Sequence, residues 1–439
     1  MIQSFARLEK PSAAAGALLL FGILHACGGA NRRSIEPQAA RFDRADAQSL
    51  KRDINFLASD ALEGRGTGTA GNDSAAAYIA RRFGALDLQP LGASFEQSFV
   101  AHPLAAHGAE PATLPTQNVV GMLPGRDSAL RGEFVIVGAH FDHLGRSSEG
   151  ALDPDRRNVI RHGADDNASG TAAVLELARM FAAKPTRRSL IFVTFSGEEL
   201  GLLGSQFFVA HSPVPLDSAV AMINFDMVGR LRDDKLIVYG VATATELPTL
   251  LDSANVIGGS PLRITALGDG YGPSDHSSFY ARNIPVLHFF TDLHEDYHRA
   301  GDVASKVNAS GEARVVNVAQ RVIRAIADRP TRLTFIRSAG PPQTAGSRAA
   351  SDVYLGSIPD MSDGAGHGLR LTGVRAGSPA DVAGLVPGDV VVEFGGRPVK
   401  DLYQFSDALY AHRPGDTVSV TILRNGARKQ FTVILGKRS

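Results

Sequence analysis

The chain is short of cysteine, of net charge and of long apolar runs, and each shortage removes a class of protein. Cys27 is the single cysteine among 439 residues, so a disulfide framework is excluded and stability must come chiefly from packing. Lys plus Arg and Asp plus Glu both number 45, for a formal net charge of zero. An overall electrostatic pull toward nucleic acid or an anionic membrane is therefore not expected. The N-terminal apolar stretch SAAAGALLLFGILHAC is short for a membrane span. Internal repeats and long low-complexity segments are missing as well.

What is present at the N-terminus has the form of a secretory signal: Arg7 and Lys10, then a short apolar centre, then small residues. The sequence LHAC resembles a bacterial lipobox, whose cysteine is lipidated and begins the mature protein, although His25 stands where a small or apolar residue is usual. Residues 1–27 are read as a signal peptide of the lipoprotein type. The protein is expected to be exported, periplasmic or on the cell surface, anchored by lipid at Cys27 or otherwise secreted. Membrane contact is expected only through that anchor. Residues 28–45 have no apolar periodicity and are read as a tether.

At this length more than one core is expected. Over 46–336, helical stretches such as GTAAVLELARMFAA and ARVVNVAQRVIRAIA alternate with the apolar runs FVIVGA, LIFVTF, LIVYG and IPVLHFF. That order predicts an α/β domain with a mostly parallel mixed sheet flanked by helices, and ligands in such sheets gather at the carboxyl ends of strands. RSAGPPQTAGSRAA, within 337–350, is a Pro/Gly-rich linker. Residues 351–439 carry short strand signals, LRLTGV, DVVVEFGG, DTVSVTIL and KQFTVIL, with one predicted helix at LYQFSDALYAH, so a small β-rich domain is expected.

The apolar runs of the larger domain end in acids and imidazoles. FVIVGAHFDHLG brings His140 and Asp142, HGADDNASG brings Asp165 and Asp166, and LIFVTFSGEEL brings Glu198 and Glu199. MINFDMVGR adds Asp226, and HEDYHRAGD adds His294, Asp296, His298 and Asp302. Each piece alone has an ordinary explanation as a surface pair, a helix cap or a solvated face. Five such pieces at strand ends and helix starts place many carboxylates in one crevice, where they would repel and drift toward neutrality without cations. Divalent metal removes that conflict.

The pattern GAHFDH…GADDNASG…FSGEELGLLGS…NFDMVGR…GYGPSDHSSF…DYHRAGD resembles the M28 family of co-catalytic dizinc aminopeptidases, over roughly Leu50 to Asp328. The segment LASDALEGRGTGTAG fits that family's lead-in, and no insertion large enough for a protease-associated domain precedes TQNVVG. The resemblance implies two zinc ions per chain bridged by Asp166, with His140 and Asp226 completing one site and Glu199 and His298 the other. It implies hydrolysis of the N-terminal peptide bond of peptides with a free N-terminus, by a bridging water and a general base, Glu198. On an extended chain the two glutamates would face opposite ways, one to metal and one to water. Asp142 matches the partner of the first histidine, and Tyr271, in GYGPSDH, matches a tyrosine that donates to the developing oxyanion. Asp165 is read as a polar neighbour, and His143, His276, His288 and His294 as structural or solvent-exposed.

In the C-terminal segment, AGSPADVAGLVPGDVVVEFGGRPV resembles the PDZ domains of bacterial HtrA proteases. This implies a carboxylate-binding loop at Tyr354, Leu355, Gly356 and Ser357, and a groove that takes a C-terminal peptide as an added strand. Two alternatives stand beside the aminopeptidase reading. One is a single-zinc transferase like glutaminyl cyclase; the other is a non-catalytic peptide-binding ectodomain.

Overall fold

The computed structural model describes residues 44–103, 113–337 and 353–437, apart from 149, 154, 360–367, 375–376, 401–403, 406–407 and 410. The signal peptide, most of the tether and most of the linker expected from the sequence lie outside these residues.

Residues that read as unbroken apolar runs become strands buried on both faces. In β4 (Phe134–His140) every residue is buried. Val135, Val137 and Ala139 join one core cluster, and Phe134 and Ile136 join another on the opposite face. The same two-sided burial holds for β5 (Ser189–Phe195), β6 (Ala219–Phe225) and β9 (Val286–Phe290). This is why these segments show no polar alternation. Helices α1 (Ala47–Leu57), α2 (Ala70–Ala85), α3 (Gly170–Ala183), α5 (Leu247–Ile257) and α7 (Ala309–Ala327) pack into the first cluster. The shorter α4 (Leu203–Ala210) and α6 (His276–Tyr280) contribute Phe208 and Phe279 to the second.

The remaining strands of this sheet are β1 (Gln89–Pro90), β2 (Glu96–Ala101), β3 (Leu114–Leu123), β7 (Lys235–Tyr239) and β8 (Arg263–Ala266). The order is β1-β3-β5-β4-β6-β9-β7-β8, with β2 paired to β3 off that path. Parallel pairing is concentrated in the centre, where β5, β4, β6 and β9 run side by side. The flanks reverse: β3 lies antiparallel to β5, and β7 antiparallel to β9. The four central strands thus deliver their carboxyl ends to one edge, as the sequence predicts.

The C-terminal segment builds its own core from Leu369, Leu371, Val391, Phe394, Val420, Ile422 and Val433, among others. Its strands are β10 (Val353–Tyr354), β11 (Ser357–Pro359), β12 (Leu369–Val374), β13 (Val390–Phe394), β14 (Arg397–Pro398), β15 (Thr417–Arg424), β16 (Ala427–Ile434) and β17 (Gly436–Lys437). The sheet runs β11-β12-β13-β15-β16, with β14 on β13, while β10 pairs with β17. The short α8 (Pro379–Val382) starts at Ser378, whose hydroxyl caps the Asp381 N–H. Of the helix expected at LYQFSDALYAH, 404–405 and 408–409 are helical and several neighbours lie outside the described residues.

One buried acid is out of keeping with its surroundings. Glu312, in the first turn of α7, is fully buried and neither carboxyl oxygen has a hydrogen-bond partner among the described residues. Burial, reinforced by the charges of Asp165 and Glu176, pushes its pKa well above the ordinary carboxyl value. Above the unfolded pKa of about 4.3 the unfolded chain releases this proton while the folded chain retains it, so stability falls as pH rises toward the elevated folded value. Glu312→Gln removes that dependence. The melting-temperature advantage of the variant over wild type should widen between pH 5 and pH 8, by roughly 2–4 °C for each kcal/mol relieved; a pH-independent difference would contradict the assignment.

Candidate metal centre

The sequence-predicted ligands come from five separate segments and meet at the carboxyl edge of the central strands. His140 is the last residue of β4, Asp226 immediately follows β6, and Glu198 and Glu199 follow β5. His298 lies in the loop after β9, and Asp166 in the turn 164–169 that opens into α3. Asp166 is the shared member. One of its oxygens is 3.4 Å from His140 Nε2, and the other is 3.1 Å from His298 Nε2. Asp226 Oδ1 stands 3.4 Å from His140 Nε2, and Glu199 Oε2 stands 3.2 Å from His298 Nε2.

These separations test whether cations fit. Four ligands at about 2.0–2.2 Å around a tetrahedral ion lie roughly 3.3–3.6 Å from each other, and the observed 3.1–3.4 Å falls close to the lower end of that edge length. Asp226 Oδ1 is buried with no hydrogen-bond donor among the described residues, although an imidazole nitrogen faces it. The outer nitrogens are accounted for: His140 Nδ1 lies 3.2 Å from the Asp142 carbonyl, and His298 Nδ1 lies 2.8 Å from the Gly150 carbonyl. Each carbonyl accepts a ring proton there, so Nε2 is the nitrogen that each ring turns toward the acids. Imidazole and carboxylate donors with this geometry suit zinc.

Electrostatics separates the adjacent glutamates. Burial raises the pKa of Glu198 against the pull of His140, and the charges of Glu199, Asp275 and Asp226 add to the rise, so its carboxyl sits well above the ordinary range. Burial acts on Glu199 in the same sense, but the charge of His298 and hydrogen bonds from His143 and His298 overcome it and hold that pKa well below the ordinary range. Glu198 keeps 12% of its side chain exposed, against 5% for Glu199, so it is the one that can meet a ligand from outside. Strand alternation, expected from the sequence, is not the cause of this separation. The glutamates head a turn after Gly197, with the Glu198 carbonyl accepting from the Gly201 and Leu202 N–H groups, and do not alternate along a strand.

Asp142 also acts differently from the expectation. Its carboxylate is 3.7 Å from His140 Nδ1, too far for a good hydrogen bond, and the nearer acceptor is its own backbone carbonyl. The carboxylate accepts instead from the Thr67 hydroxyl at 2.9 Å and the Glu198 N–H at 3.2 Å, tying the lead-in to the Glu198 backbone. Tyr271 is half-buried, packs edge-on to Tyr280 with centroids 4.7 Å apart, and donates its N–H to Asp269. Asp165 is a buried neighbour, as expected, accepting from the Gly229 N–H and the Ser169 hydroxyl, with His294 Nε2 3.2 Å away.

Three residues at or behind the centre escaped the sequence reading. His143, expected to be structural or exposed, is buried and places Nδ1 2.8 Å from Glu199 Oε1. Gly163, with φ +56°, leaves room for it, since a Cβ there would lie 2.4 Å from the His143 ring. Tyr297 stacks on His298 with centroids 3.9 Å apart, and burial plus the charges of Asp166, Glu199, Glu198 and Asp226 raise its phenol pKa well above normal. Arg65 is fully buried and donates to the carbonyls of Leu57, Phe141, His162 and Gly163. Burial lowers its pKa to about 10, against the pull of Asp142 and Asp166. The only traces of these three residues in the sequence are the nearness of His143 in HFDH, Tyr297 in DYH and Arg65 in LEGRGTG to the glycine-rich and acidic motifs, and none of these encodes the contact itself.

Residues 118–323 match the model of peptidase family M28, and residues 353–435 match that of a PDZ domain. The chain is 30% identical over 179 residues to Aminopeptidase YwaD of Bacillus subtilis (strain 168), covering 40% of this chain and 35% of that protein. It is 29% identical over 206 residues to Leucine aminopeptidase 1 of Arthroderma otae, covering 44% and 48%. The chain thus spans less than half the length of these relatives. A Zn-dependent exopeptidase from Parabacteroides distasonis shares the fold at 20% identity and a TM-score of 0.54, over 64% of this chain and 98% of that one. A glutaminyl cyclase from Porphyromonas gingivalis does so at 19% identity and a TM-score of 0.54, over 64% and 99%. The expected mixed α/β architecture with a C-terminal PDZ domain is borne out.

Because Asp166 faces both imidazoles and Asp226 only one, their removal should differ in stoichiometry. Elemental analysis after equilibration with a modest excess of zinc and removal of unbound metal should find about two ions in wild type, one in Asp226→Ala and none in Asp166→Ala. Equal losses in the two variants would contradict a shared carboxylate.

Proposed function

We propose that the larger domain is a two-zinc aminopeptidase that hydrolyses the N-terminal bond of peptides with a free N-terminus. The observation that carries this reading is the shared Asp166 carboxylate, at ligand-edge distance from two imidazoles, each of which stands at the same distance from one further acid. The family match and the aminopeptidases among the relatives support it. Zinc held by His140, Asp166 and Asp226, and by Asp166, Glu199 and His298, would polarise the scissile carbonyl and make a water acidic enough to attack.

The chain's own residues supply the rest. Glu198 takes the proton from the attacking water and returns it to the leaving amine, a role that its raised pKa suits. Asp142 fixes the backbone of Glu198 through its N–H. Tyr271 donates to the oxyanion, and Tyr297, kept protonated by burial and by the surrounding carboxylates, is a second phenol donor at the same edge. The cleft acids pair with the substrate ammonium, which restricts cleavage to the N-terminal bond. The fold is shared with glutaminyl cyclases, but the paired acid and imidazole sets favour two ions and hydrolysis over a single-zinc transferase.

The C-terminal domain captures a peptide carboxylate at Tyr354–Ser357 and adds the peptide beside β11, which has no strand on its outer edge among the described residues. Gly356 has φ +81°, and a Cβ there would lie 2.1 Å from Ser378 Cβ, so the loop depends on glycine. β11 ends on Pro359, which has no N–H to donate, so docking relies on the residues nearest the loop. The N-terminal segment exports the chain, with lipid attachment at Cys27 or plain secretion; the charged start and apolar run support this.

Glu198→Gln should retain about two zinc ions and lose roughly 10²–10⁴-fold in kcat on leucine p-nitroanilide; undiminished turnover would overturn its role as base. For the PDZ groove, peptides with a free C-terminal carboxylate should bind at least about tenfold more tightly than their amidated forms by fluorescence polarisation, a gap of about 1.4 kcal/mol. Equal binding would remove the carboxylate-reading role.

A further inference from the structure

Behind the ligands lie several charged residues from the same sequence motifs that neither hold metal nor touch substrate, namely Arg230 from NFDMVGR, and Asp296 and Asp302 from HEDYHRAGD. Asp302 is fully buried. Its Oδ2 accepts from two consecutive backbone amides, those of Asp165 at 2.9 Å and Asp166 at 3.0 Å. Its own carbonyl accepts from the Ala164 N–H at 3.2 Å. One residue therefore holds three successive peptide groups of the turn that carries the shared carboxylate. Its other oxygen, Oδ1, accepts from Arg230 at 3.1 Å.

We infer that Asp302, oriented by Arg230, is the positioning residue of the metal centre, setting where the two oxygens of Asp166 point between His140 and His298. This rests on the two-cation reading of that centre. The physical case is one of geometry and charge together. Two adjacent amides that converge on a single carboxylate oxygen leave the peptide planes on either side of Asp165 little freedom to rotate, and the Asp166 side chain leaves the backbone at that point. A carboxylate so close to the ligands would add to their mutual repulsion, but Arg230 offsets its charge. Arg230 also reaches Asp296 at 3.3 Å, and Asp296 is paired with Lys306 at 2.6 Å. The four charges alternate and sum to zero, so the turn is fixed without making the centre more acidic.

The connection also joins ligand segments to one another. Arg230 lies four residues beyond Asp226, and Asp302 four beyond His298. Next to it, the Gly229 N–H donates to Asp165 Oδ1 at 2.6 Å. The segments that carry Asp166, Asp226 and His298 thus share one set of hydrogen bonds, and a shift in any of them moves the ligand-edge distances of both sites. In Asp302→Asn the side chain can still accept from the amides only by turning its NH2 toward Arg230, donor against donor; the opposite rotamer sets the NH2 against the amides.

The test is a zinc titration against a competing chelator on the full chain, paired with melting curves of the metal-free and zinc-loaded protein and with the visible spectrum of the Co²⁺ form. Asp302→Asn should weaken the more loosely held zinc by about tenfold or more. It should also shrink the rise in melting temperature on adding zinc by more than it lowers the metal-free value, and alter the Co²⁺ bands. Arg230→Gln keeps the amide bonds but frees the outer oxygen, and should show a smaller loss of a few fold; it also serves where Asp302→Asn does not fold. Zinc affinities and Co²⁺ spectra equal to wild type in the folded variants, with only the metal-free melting temperature lowered, would overturn the inference and leave a purely structural contact. Wild-type protein that takes up no zinc would overturn the two-cation reading itself.

Discussion

The constraint on which the centre depends is that one carboxylate, Asp166, must face two imidazoles that arrive from different strands. His140 is fixed by the end of β4, whereas His298 sits in a loop beyond β9, two strands away across β6. Neither ring can move far: each gives its outer nitrogen to a backbone carbonyl, and the His298 segment is further held by the Leu152 N–H on its own carbonyl. The adjustable partner is the turn 164–169, which is bonded from outside by Asp302 beneath it and by Arg65 on the carbonyl of Gly163 just before it. Rigid strand ends and a clamped turn together give distances that neither would give alone.

The same arrangement separates the roles of the acids. Glu198 and Glu199 share a backbone turn and are adjacent in the chain, so sequence position cannot distinguish them chemically. Their neighbours do. Glu199 has an imidazole on each carboxylate oxygen, His143 on one and His298 on the other. Glu198 has one distant imidazole, at 4.0 Å, and several like charges. Two carboxyl groups pushed apart in this way are suited to opposite roles, one remaining ionised as a ligand and the other exchanging protons.

Much of this was legible because ligands that belong to strand ends leave a one-dimensional trace. An apolar run buried on both faces is readable, and the polar residue that ends it marks the crevice. His140, Asp226 and the glutamates were found in that way, and the central strands with them. The antiparallel flanks were harder to read, since β3 and β7 carry apolar residues much like those of the parallel strands and direction is set by the connections. The supporting layer left no comparable trace. Arg65 is an ordinary residue of a glycine-rich loop until four carbonyls from distant segments converge on it, and the contact of His143 with Glu199 depends on a turn whose shape the spacing of HFDH does not encode. Asp142 shows the limit most clearly: the residue was identified, but its carboxylate serves Thr67 and Glu198 more closely than the ring it was matched to.

Arg65 bears on how such an acidic centre can fold. Asp142, Asp166, Glu198, Glu199 and Asp226 lie within a few ångströms of one another's partners, and all are largely buried. The Arg65 guanidinium, although drawn toward these acids by charge, spends its hydrogen bonds on carbonyls. Its charge therefore acts at a distance, lowering the repulsion among the carboxylates without occupying the oxygens that a cation needs. An arginine bonded directly to Asp166 or Glu199 would stabilise the acids more strongly and would compete with metal for the same lone pairs. Placing the fixed positive charge one layer back lets the fold tolerate its acids while keeping their inner oxygens available, which is the condition for a centre that is both assembled by the chain and open to metal.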